Sequence, residues 1–369
     1  MARPILTIDL NAIAENWRAL DSLSAAHVTT GAAVKADGYG IGAAVAARTL
    51  SAAGCGTFFV ATAPEAMEVR DALGSDAEIY VLNGAIEGLP EIVAADARPV
   101  LNARTDVEMA LEFAKQHETP LSCALQFETG MNRLGLSPAE AEWLAQTDVS
   151  ALSVQILMSH FACADEAGHS LTREQITRFN ELVPELRDRF PNAKLSLSAT
   201  GGVLLGADAH FDLTRPGVGL YGADPFRDAR PVIRLEAPIL RVWDVKPGET
   251  SGYGATWTAT RPSRLATLPL GYADGLPRSL SGRGEAKVGG RIVPLAGRVS
   301  MDLIVLDVTD VPDAAPGDMA VLLDDELTVD RMATSAGTIG YEILTSLGDR
   351  AIRRYKPSAV TDGKGDVSA

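Results

Sequence analysis

The sequence predicts an α/β protein: an N-terminal (β/α)8 barrel followed by a mostly β C-terminal domain. Three observations carry this. Over residues 5 to about 222, short apolar runs alternate with helical patterns, and the runs number eight. From about residue 230, β-rich runs separated by turn signals take over. The chain has 369 residues and is 46% hydrophobic, enough for two domains with sizeable cores. The division falls at 1–229 and 230–369.

The eight runs are 32–35, 57–61, 79–82, 99–101, 121–127, 153–158, 194–198 and 212–220. Most are nearly continuous in apolar residues, as strands covered on both faces require. Pro99 stands at a strand start, where its missing donor is tolerated. Between the runs, 41–50, 63–73, 104–115 and 171–189 carry apolar and charged residues at helical spacing. A doubly wound open sheet is the alternative, but no Gly-x-Gly-x-x-Gly turn follows the first strand. In the second regime the strands are 232–244, 264–270, 285–294, 303–308 and 319–323. Lys246-Pro247-Gly248, Gly289-Gly290 and Pro316-Gly317-Asp318 mark turns between them. Helical patches follow at 328–336 and 341–347, and the polar tail from Lys356 is expected to fray.

A net charge of −15 argues against nucleic-acid and anionic-membrane partners. Cys55, Cys123 and Cys163 form neither a disulfide framework nor a metal motif. No apolar run reaches the length of a membrane span, and the N-terminus has no signal-peptide pattern. A cytoplasmic protein is the expectation.

In parallel α/β folds the carboxyl ends of the strands collect the chemistry. Lys35 ends the first run and is followed at once by Ala36-Asp37-Gly38-Tyr39-Gly40. A lysine in a partly dry pocket can lose its proton, form a Schiff base and act as a base. Arg133 lies past strand five in Glu128-Thr129-Gly130-Met131-Asn132-Arg133-Leu134-Gly135, and strand six runs into His160. Strand seven ends in Ser198-Ala199-Thr200-Gly201-Gly202, and strand eight carries Arg215-Pro216-Gly217-Val218-Gly219. Glycines beside a small hydroxyl residue suit a phosphate. A lysine, a phosphate cradle and no metal cluster together suggest pyridoxal phosphate. Against this stand plainer readings: a surface lysine, a buried core histidine, an ordinary turn. Tyr39, Tyr221, Tyr253, Tyr272 and Tyr341 each adjoin a glycine, which lets the backbone approach a ligand or another chain.

Six strings in order, A-V-K-A-D-G-Y-G, E-T-G-M-N-R-L-G, R-P-G-V-G-L-Y-G, G-Y-G-A-T-W, L-G-Y-A-D-G-L-P-R and R-V-S-M-D, give the chain its resemblance to the alanine racemases. The resemblance covers nearly the whole chain. It implies a pyridoxal-phosphate enzyme that interconverts L- and D-alanine, supplying D-alanine for peptidoglycan. Lys35 would hold the cofactor as an internal aldimine and act as one base. Tyr253 would be the opposite-face base, reaching into the partner subunit of a homodimer with shared sites. Tyr39, Thr200, Gly217 and Val218 would hold the phosphate, Arg215 would face the pyridine nitrogen and His160 would line the ring. Arg133 would stand near the phenolic oxygen and the substrate carboxylate. Tyr272, Met301 and Asp302 would close the entrance from the partner's β domain and hold substrate.

Three positions depart from the family pattern. Gln126 replaces a lysine often carbamylated in relatives, and its amide is expected to position Arg133 by a hydrogen bond. Ala199 replaces an asparagine. Asp349 matches a phosphate-binding tyrosine of some relatives, which would put cofactor affinity in question. Alternatives remain: a racemase of another amino acid, a decarboxylase (disfavoured by Arg215), or a non-enzymatic pyridoxal-phosphate homeostasis protein, which would lack the β domain with Tyr253.

Overall fold

The computed structural model describes residues 3–166 and 168–357, with the Glu87 side chain left aside. The chain forms two compact units. Among the described residues, 14–38 and 42–220 make one; residues 3–13, 39–41 and 221–357 make the other.

The first unit is the barrel. Strands Ala32–Ala33, Thr57–Val60, Glu78–Val81, Arg98–Leu101, Leu121–Gln126, Leu152–Met158 and Lys194–Ser196 pair in parallel and in chain order. The eighth, Leu213–Thr214, pairs in parallel with Thr29–Thr30. On that side Gly31 N–H donates to Thr214 O and Ala33 N–H to Pro216 O, each at 2.8 Å. On its other side Asp212 N–H donates to Leu195 O at 3.0 Å and Arg215 N–H to Ser198 O at 2.8 Å. These bonds close the ring and leave no sheet edge. The open-sheet alternative is thereby excluded.

The helices between strands form where the sequence places them. Ala63–Leu73 opens with a capping box between Thr62 and Glu65 and has Pro64 in its first turn. Arg104–His117 and Ser170–Arg189 follow the same alternation. Their apolar faces meet the strands in one cluster that includes Leu125, Leu157, Phe127 and Phe179, all essentially solvent-free. Each such side chain contributes about 1.5–3 kcal/mol by burial.

The β-rich unit holds a six-stranded sheet in the order Arg291–Pro294, Glu285–Val288, Met319–Leu323, Ile233–Pro238, Ile5–Asp9, Ile352–Lys356. A three-stranded sheet runs Arg241–Val245, Ser263–Leu268, Ile304–Asp307. Helices Val329–Ala336 and Gly340–Thr345 follow, the first capped by the Thr328 hydroxyl on the Arg331 N–H at 3.2 Å.

Four local expectations are corrected. The run 212–220 is a strand only at Leu213–Thr214, because Pro216 has no donor and the N–H groups of Gly217 and Gly219 turn to the Thr200 hydroxyl. The first run ends as a strand at Ala33, and Lys35 opens a helical turn. The run 232–244 is two strands, since Ile239 N–H bonds Asp318 O while Leu240 N–H bonds Thr267 O. Lys356 does not fray; it closes strand Ile352–Lys356, and residues from 358 on lie outside the described residues. The strand Ile5–Asp9 was not anticipated as part of the β-rich unit.

Candidate active site

Lys35 stands at the carboxyl edge of the barrel, half-buried. Its amine makes no hydrogen bond or ion pair with any described residue. The turn it opens, Lys35–Gly40, is left-handed: Ala36, Asp37 and Tyr39 have φ of 53°, 54° and 55°, with Gly38 at 59° between them. For non-glycine residues this conformation costs about 1–2 kcal/mol each. Specific bonds offset that cost. Gly38 N–H donates to Val34 O at 2.9 Å, and Asp37 Oδ1 accepts the Ala43 N–H at 2.9 Å. Glu65 Oε1 accepts the Ala36 N–H at 2.8 Å. A strained turn beside a free amine is how a reactive side chain is held in one direction.

Arg215 is 5% exposed and spends its guanidinium on the neighbouring strand ends. Nη1 donates to Ser196 Oγ, and Nη2 donates to Ser159 O at 2.8 Å and approaches His160 Nδ1 at 3.4 Å. Its guanidinium lies 5.8 Å from the Phe59 ring centre. Behind His160, the fully buried Gln175 donates to His160 O at 2.8 Å and Thr129 Oγ1 at 3.2 Å, and accepts the Ala162 N–H at 2.9 Å. Sequence reasoning missed Gln175, because a single polar residue on a helix gives no signal of burial. Thr200 opens the short helix Thr200–Leu204, with Ala199 at its N-cap. Its hydroxyl accepts the N–H groups of Gly217 at 3.0 Å and Gly219 at 3.3 Å. Val218, 1% exposed, lies between them.

The structure brings Lys35, Arg133, His160 and Arg215 into electrostatic reach of one another. Burial pulls the Lys35 amine below the usual lysine range, Arg133 and Arg215 add to this, and Glu65 opposes it. Burial, then Arg215, Arg133 and Lys35, push the His160 imidazole down to about 3. It is therefore neutral at pH 7, and its Nδ1 lone pair is free to face Arg215. Burial lowers Arg215 to about 9, which still leaves a cation at pH 7.

The His160 shift has a measurable consequence. Unfolded, the imidazole takes its proton near pH 6.5; folded, it resists down to about 3. The unfolded chain then binds more protons below pH 6.5. Stability is full above that pH and falls on acidification by about 1 kcal/mol per pH unit from this residue. Urea unfolding at pH 7 and pH 5 should show a shallower loss in His160→Asn than in the unmodified chain.

Arg133 is exposed on the loop 128–135 and makes no hydrogen bond or ion pair with any described residue. The expected Gln126–Arg133 hydrogen bond is not formed. Gln126 is buried at the end of strand Leu121–Gln126, whereas Glu128 pins the loop through the N–H groups of Gly130 and Asn132. Asp349 is fully exposed and lies 3.6 Å from Arg353. The tyrosine that stands by Tyr39 is Tyr341, with ring centres 6.2 Å apart, while Tyr221 stacks on Tyr39 at 4.6 Å.

In the β-rich unit Tyr253 sits in the turn Tyr253–Ala255 and is 75% exposed. Met301 is 53% and Tyr272 43% exposed. Tyr272 and Ala273 donate their N–H groups to Ser300 O and Met301 O, each at 3.0 Å. Arg350 ties the same two turns, with Nη1 on Asp302 Oδ1 at 2.8 Å and Nε 3.2 Å from Asp274 Oδ1. A Cβ on Gly271 would fall 2.3 Å from the carbonyl oxygens of both Ser300 and Met301, so only glycine permits this approach. Gly271→Ala is expected to separate the turns and cost about 1–3 kcal/mol of stability, and to raise KM if Tyr272, Met301 and Asp302 hold substrate as the resemblance implies. Thermal melting and steady-state kinetics check both effects.

The donor set fits pyridoxal phosphate. A half-buried, unpartnered lysine can carry an aldehyde, the Thr200 hydroxyl with the 217–219 backbone suits a phosphate, and a buried guanidinium approaches His160 Nδ1. Barrel and site together define a pyridoxal-phosphate enzyme of the barrel-plus-β-domain class. The family profile for the alanine racemase N-terminal domain matches residues 8–225, and that for its C-terminal domain matches 232–355. The chain belongs to the alanine racemase family, whose members are pyridoxal-phosphate-dependent isomerases. It is 48% identical over 356 residues to an alanine racemase of Cereibacter sphaeroides, covering 96% of this chain and 99% of that one. It is 46% identical over 360 residues to that of Dinoroseobacter shibae, again covering 96% and 99%. Among solved structures, alanine racemase from Bartonella henselae with covalently bound pyridoxal phosphate superposes with a TM-score of 0.91 at 35% identity, covering 96% of this chain and 100% of that one. Biosynthetic alanine racemase from Pseudomonas aeruginosa gives 0.88 at 36% identity, covering 97% and 100%.

Proposed function

We propose that the chain interconverts L- and D-alanine with two bases, Lys35 on one face of the substrate and the partner's Tyr253 on the other, in a homodimer with shared sites. The barrel half, 1–229, holds the cofactor, with the strand Ile5–Asp9 lent to the β-rich unit. The half 230–369 completes the site of the partner subunit. The observation that carries this reading is the unpartnered, half-buried amine of Lys35 beside a neutral imidazole and two guanidiniums.

Bound at Lys35, pyridoxal phosphate supplies the electron sink that makes an α-proton removable. The chain's own groups do the rest. Tyr39, Thr200, Gly217 and Val218 hold the phosphate. Arg215, cationic at neutral pH, would face the pyridine nitrogen and disfavour its protonation. His160, neutral, lines the ring without adding charge. Arg133, free of any protein anion among the described residues, receives the substrate carboxylate. Because burial and two guanidiniums depress Lys35, a larger fraction of it is unprotonated near pH 7 than of an ordinary lysine. Inversion requires a proton removed from one face and returned to the other, so two bases suffice where one fixed base cannot.

Tyr253 is 75% exposed within its own chain. With Tyr272, Met301 and Leu303 also exposed on the β-rich unit, a second copy's barrel is the cover that would bring Tyr253 to a lysine. D-alanine production for peptidoglycan in the cytoplasm is the cellular role. The direct test is a panel of L- and D-amino acids, with loss of optical activity followed for each. Alanine should racemise fastest; a chain inert toward alanine but active on another amino acid would overturn the substrate assignment.

A further inference from the structure

Glu65 is the third residue of helix Ala63–Leu73, and its first task is local. Its Oε2 accepts the Ala61 N–H at 2.6 Å and the Thr62 N–H at 3.3 Å, which completes the helix's capping box. Its other oxygen leaves the helix altogether. Oε1 accepts the Ala36 N–H at 2.8 Å, 29 residues back in the chain and beyond the neighbouring barrel strand. Ala36 directly follows Lys35 and is the first non-glycine residue of the left-handed turn. A carboxylate that takes three backbone N–H groups is fixed at both ends.

The charged surroundings of Lys35 come from several elements. Arg133 faces it from the loop after strand five, Arg215 from the end of strand eight and His160 from the end of strand six. Asp37 lies in its own turn, with Oδ1 occupied by the Ala43 N–H. Two of these neighbours are cations and one is a neutral ring. Glu65 is the anion whose field bears on the Lys35 proton.

We propose that Glu65 is a positioning residue for the racemase reaction: its carboxylate locks the peptide that follows Lys35 and supplies the countercharge against which Lys35 gives and takes its proton. This rests on Lys35 being the cofactor lysine and a base. The helix cap alone uses one oxygen and does not account for the other reaching to Ala36. The two roles also separate by chemistry. The cap and the clamp need acceptor oxygens, while the proton inventory needs the charge.

The sign of the effect is fixed. Without the Glu65 charge, burial, Arg133 and Arg215 act on Lys35 unopposed, so the amine loses its proton at lower pH. The test uses the full chain freed of cofactor, with acylation of Lys35 by acetic anhydride followed by peptide mass across pH. Glu65→Gln should move the Lys35 midpoint to lower pH by roughly half a unit to one unit, accelerating acylation near neutrality about 3–10-fold. Glu65→Asp keeps the charge but shortens the reach, so its midpoint should stay near that of the unmodified chain. In the holoenzyme both variants should lower kcat more than they raise KM, because Glu65 does not touch substrate in this assignment, and the acid limb of the rate profile should shift only in Glu65→Gln. An unmoved midpoint in a Glu65→Gln protein with native circular dichroism overturns the proposal. Should Glu65→Gln not fold, Glu65→Asp carries the test: a kcat equal to that of the unmodified chain overturns it. Racemisation of alanine by the unmodified chain is read separately, so a failure of the functional assignment shows there and not in the Lys35 titration.

Discussion

Phenylalanine at position 253 should suppress racemisation in both directions, by roughly 10²–10⁴-fold in kcat, the range a positioned acid–base group supplies. In the proposed two-base scheme both directions fail because the base for one enantiomer is the acid for the other. The two enantiomers should nevertheless differ in a simpler reaction. In that scheme Lys35 alone removes the α-proton of D-alanine and returns it to the same face, so exchange of that proton with heavy water should persist. Exchange from L-alanine needs the phenol and should fall with racemisation. Proton NMR on each enantiomer in turn decides this. Equal slowing for both would remove Tyr253 from its assigned face and leave a single mobile base or a solvent path. The substitution itself is mild. Tyr253 is largely exposed within its own chain, so deleting its hydroxyl leaves no buried gap.

The second large effect is at Lys35. On the proposed assignment Lys35→Ala removes the covalent anchor and one base together, and racemisation should fall by about 10³-fold or more. The Thr200 cradle and Arg215 stay in place, so cofactor should still bind, released by dialysis where the unmodified chain retains it. Borohydride reduction of the unmodified holoenzyme should fix the pyridoxyl group on Lys35; another lysine so labelled would refute the assignment. Lys35→Ala also tests the shared site. Mixed with an equal amount of Tyr253→Phe chains, it should recover activity, because each heterodimer keeps one site with both bases. Random pairing leaves about a quarter of all sites intact. No recovery, once subunit exchange is demonstrated, would count against sites built from two chains.

Much of this was legible in the sequence, and particular residues show why. The alternation of apolar runs and helices gave the barrel its eight strands, because strands buried on both faces must be continuously apolar. The helix Ala63–Leu73 was legible to the residue, since Thr62, Pro64 and Glu65 mark its start by a local hydrogen-bonding rule. What local rules cannot encode was missed. The strand Ile5–Asp9 has the same composition whichever sheet it joins, and its partner Ile352–Lys356 lies at the other end of the chain. Strand eight was read too long because apolar content does not reveal that Pro216 and two glycines turn their backbone toward Thr200. At the site, the strand-end position singled out Lys35 and the glycine-flanked motifs singled out Arg215. The left-handed turn after Lys35 was read only as polar and glycine-rich, because Ala36 and Asp37 carry no signal for positive φ. Tyr341 drew notice only for its adjoining glycine, and its place 6.2 Å from the Tyr39 ring came from the fold, because the two lie some three hundred residues apart.

The placement of Ile5–Asp9 bears on how the molecule can be made and cut. This strand is internal to the six-stranded sheet, antiparallel to Ile233–Pro238 on one side and parallel to Ile352–Lys356 on the other. During synthesis residues 14–220 emerge complete, so the barrel can gather its own contacts while Ile5–Asp9 still waits for both neighbours. Those neighbours arrive more than two hundred residues later, and pairings so distant in the chain form slowly. A fragment starting near residue 232 would leave Ile233–Pro238 and Ile352–Lys356 facing an empty lane, with two rows of unpaired backbone groups. Expressing the β-rich unit alone therefore calls for a fusion that carries Ile5–Asp9 along, or a permuted chain that joins it after Lys356.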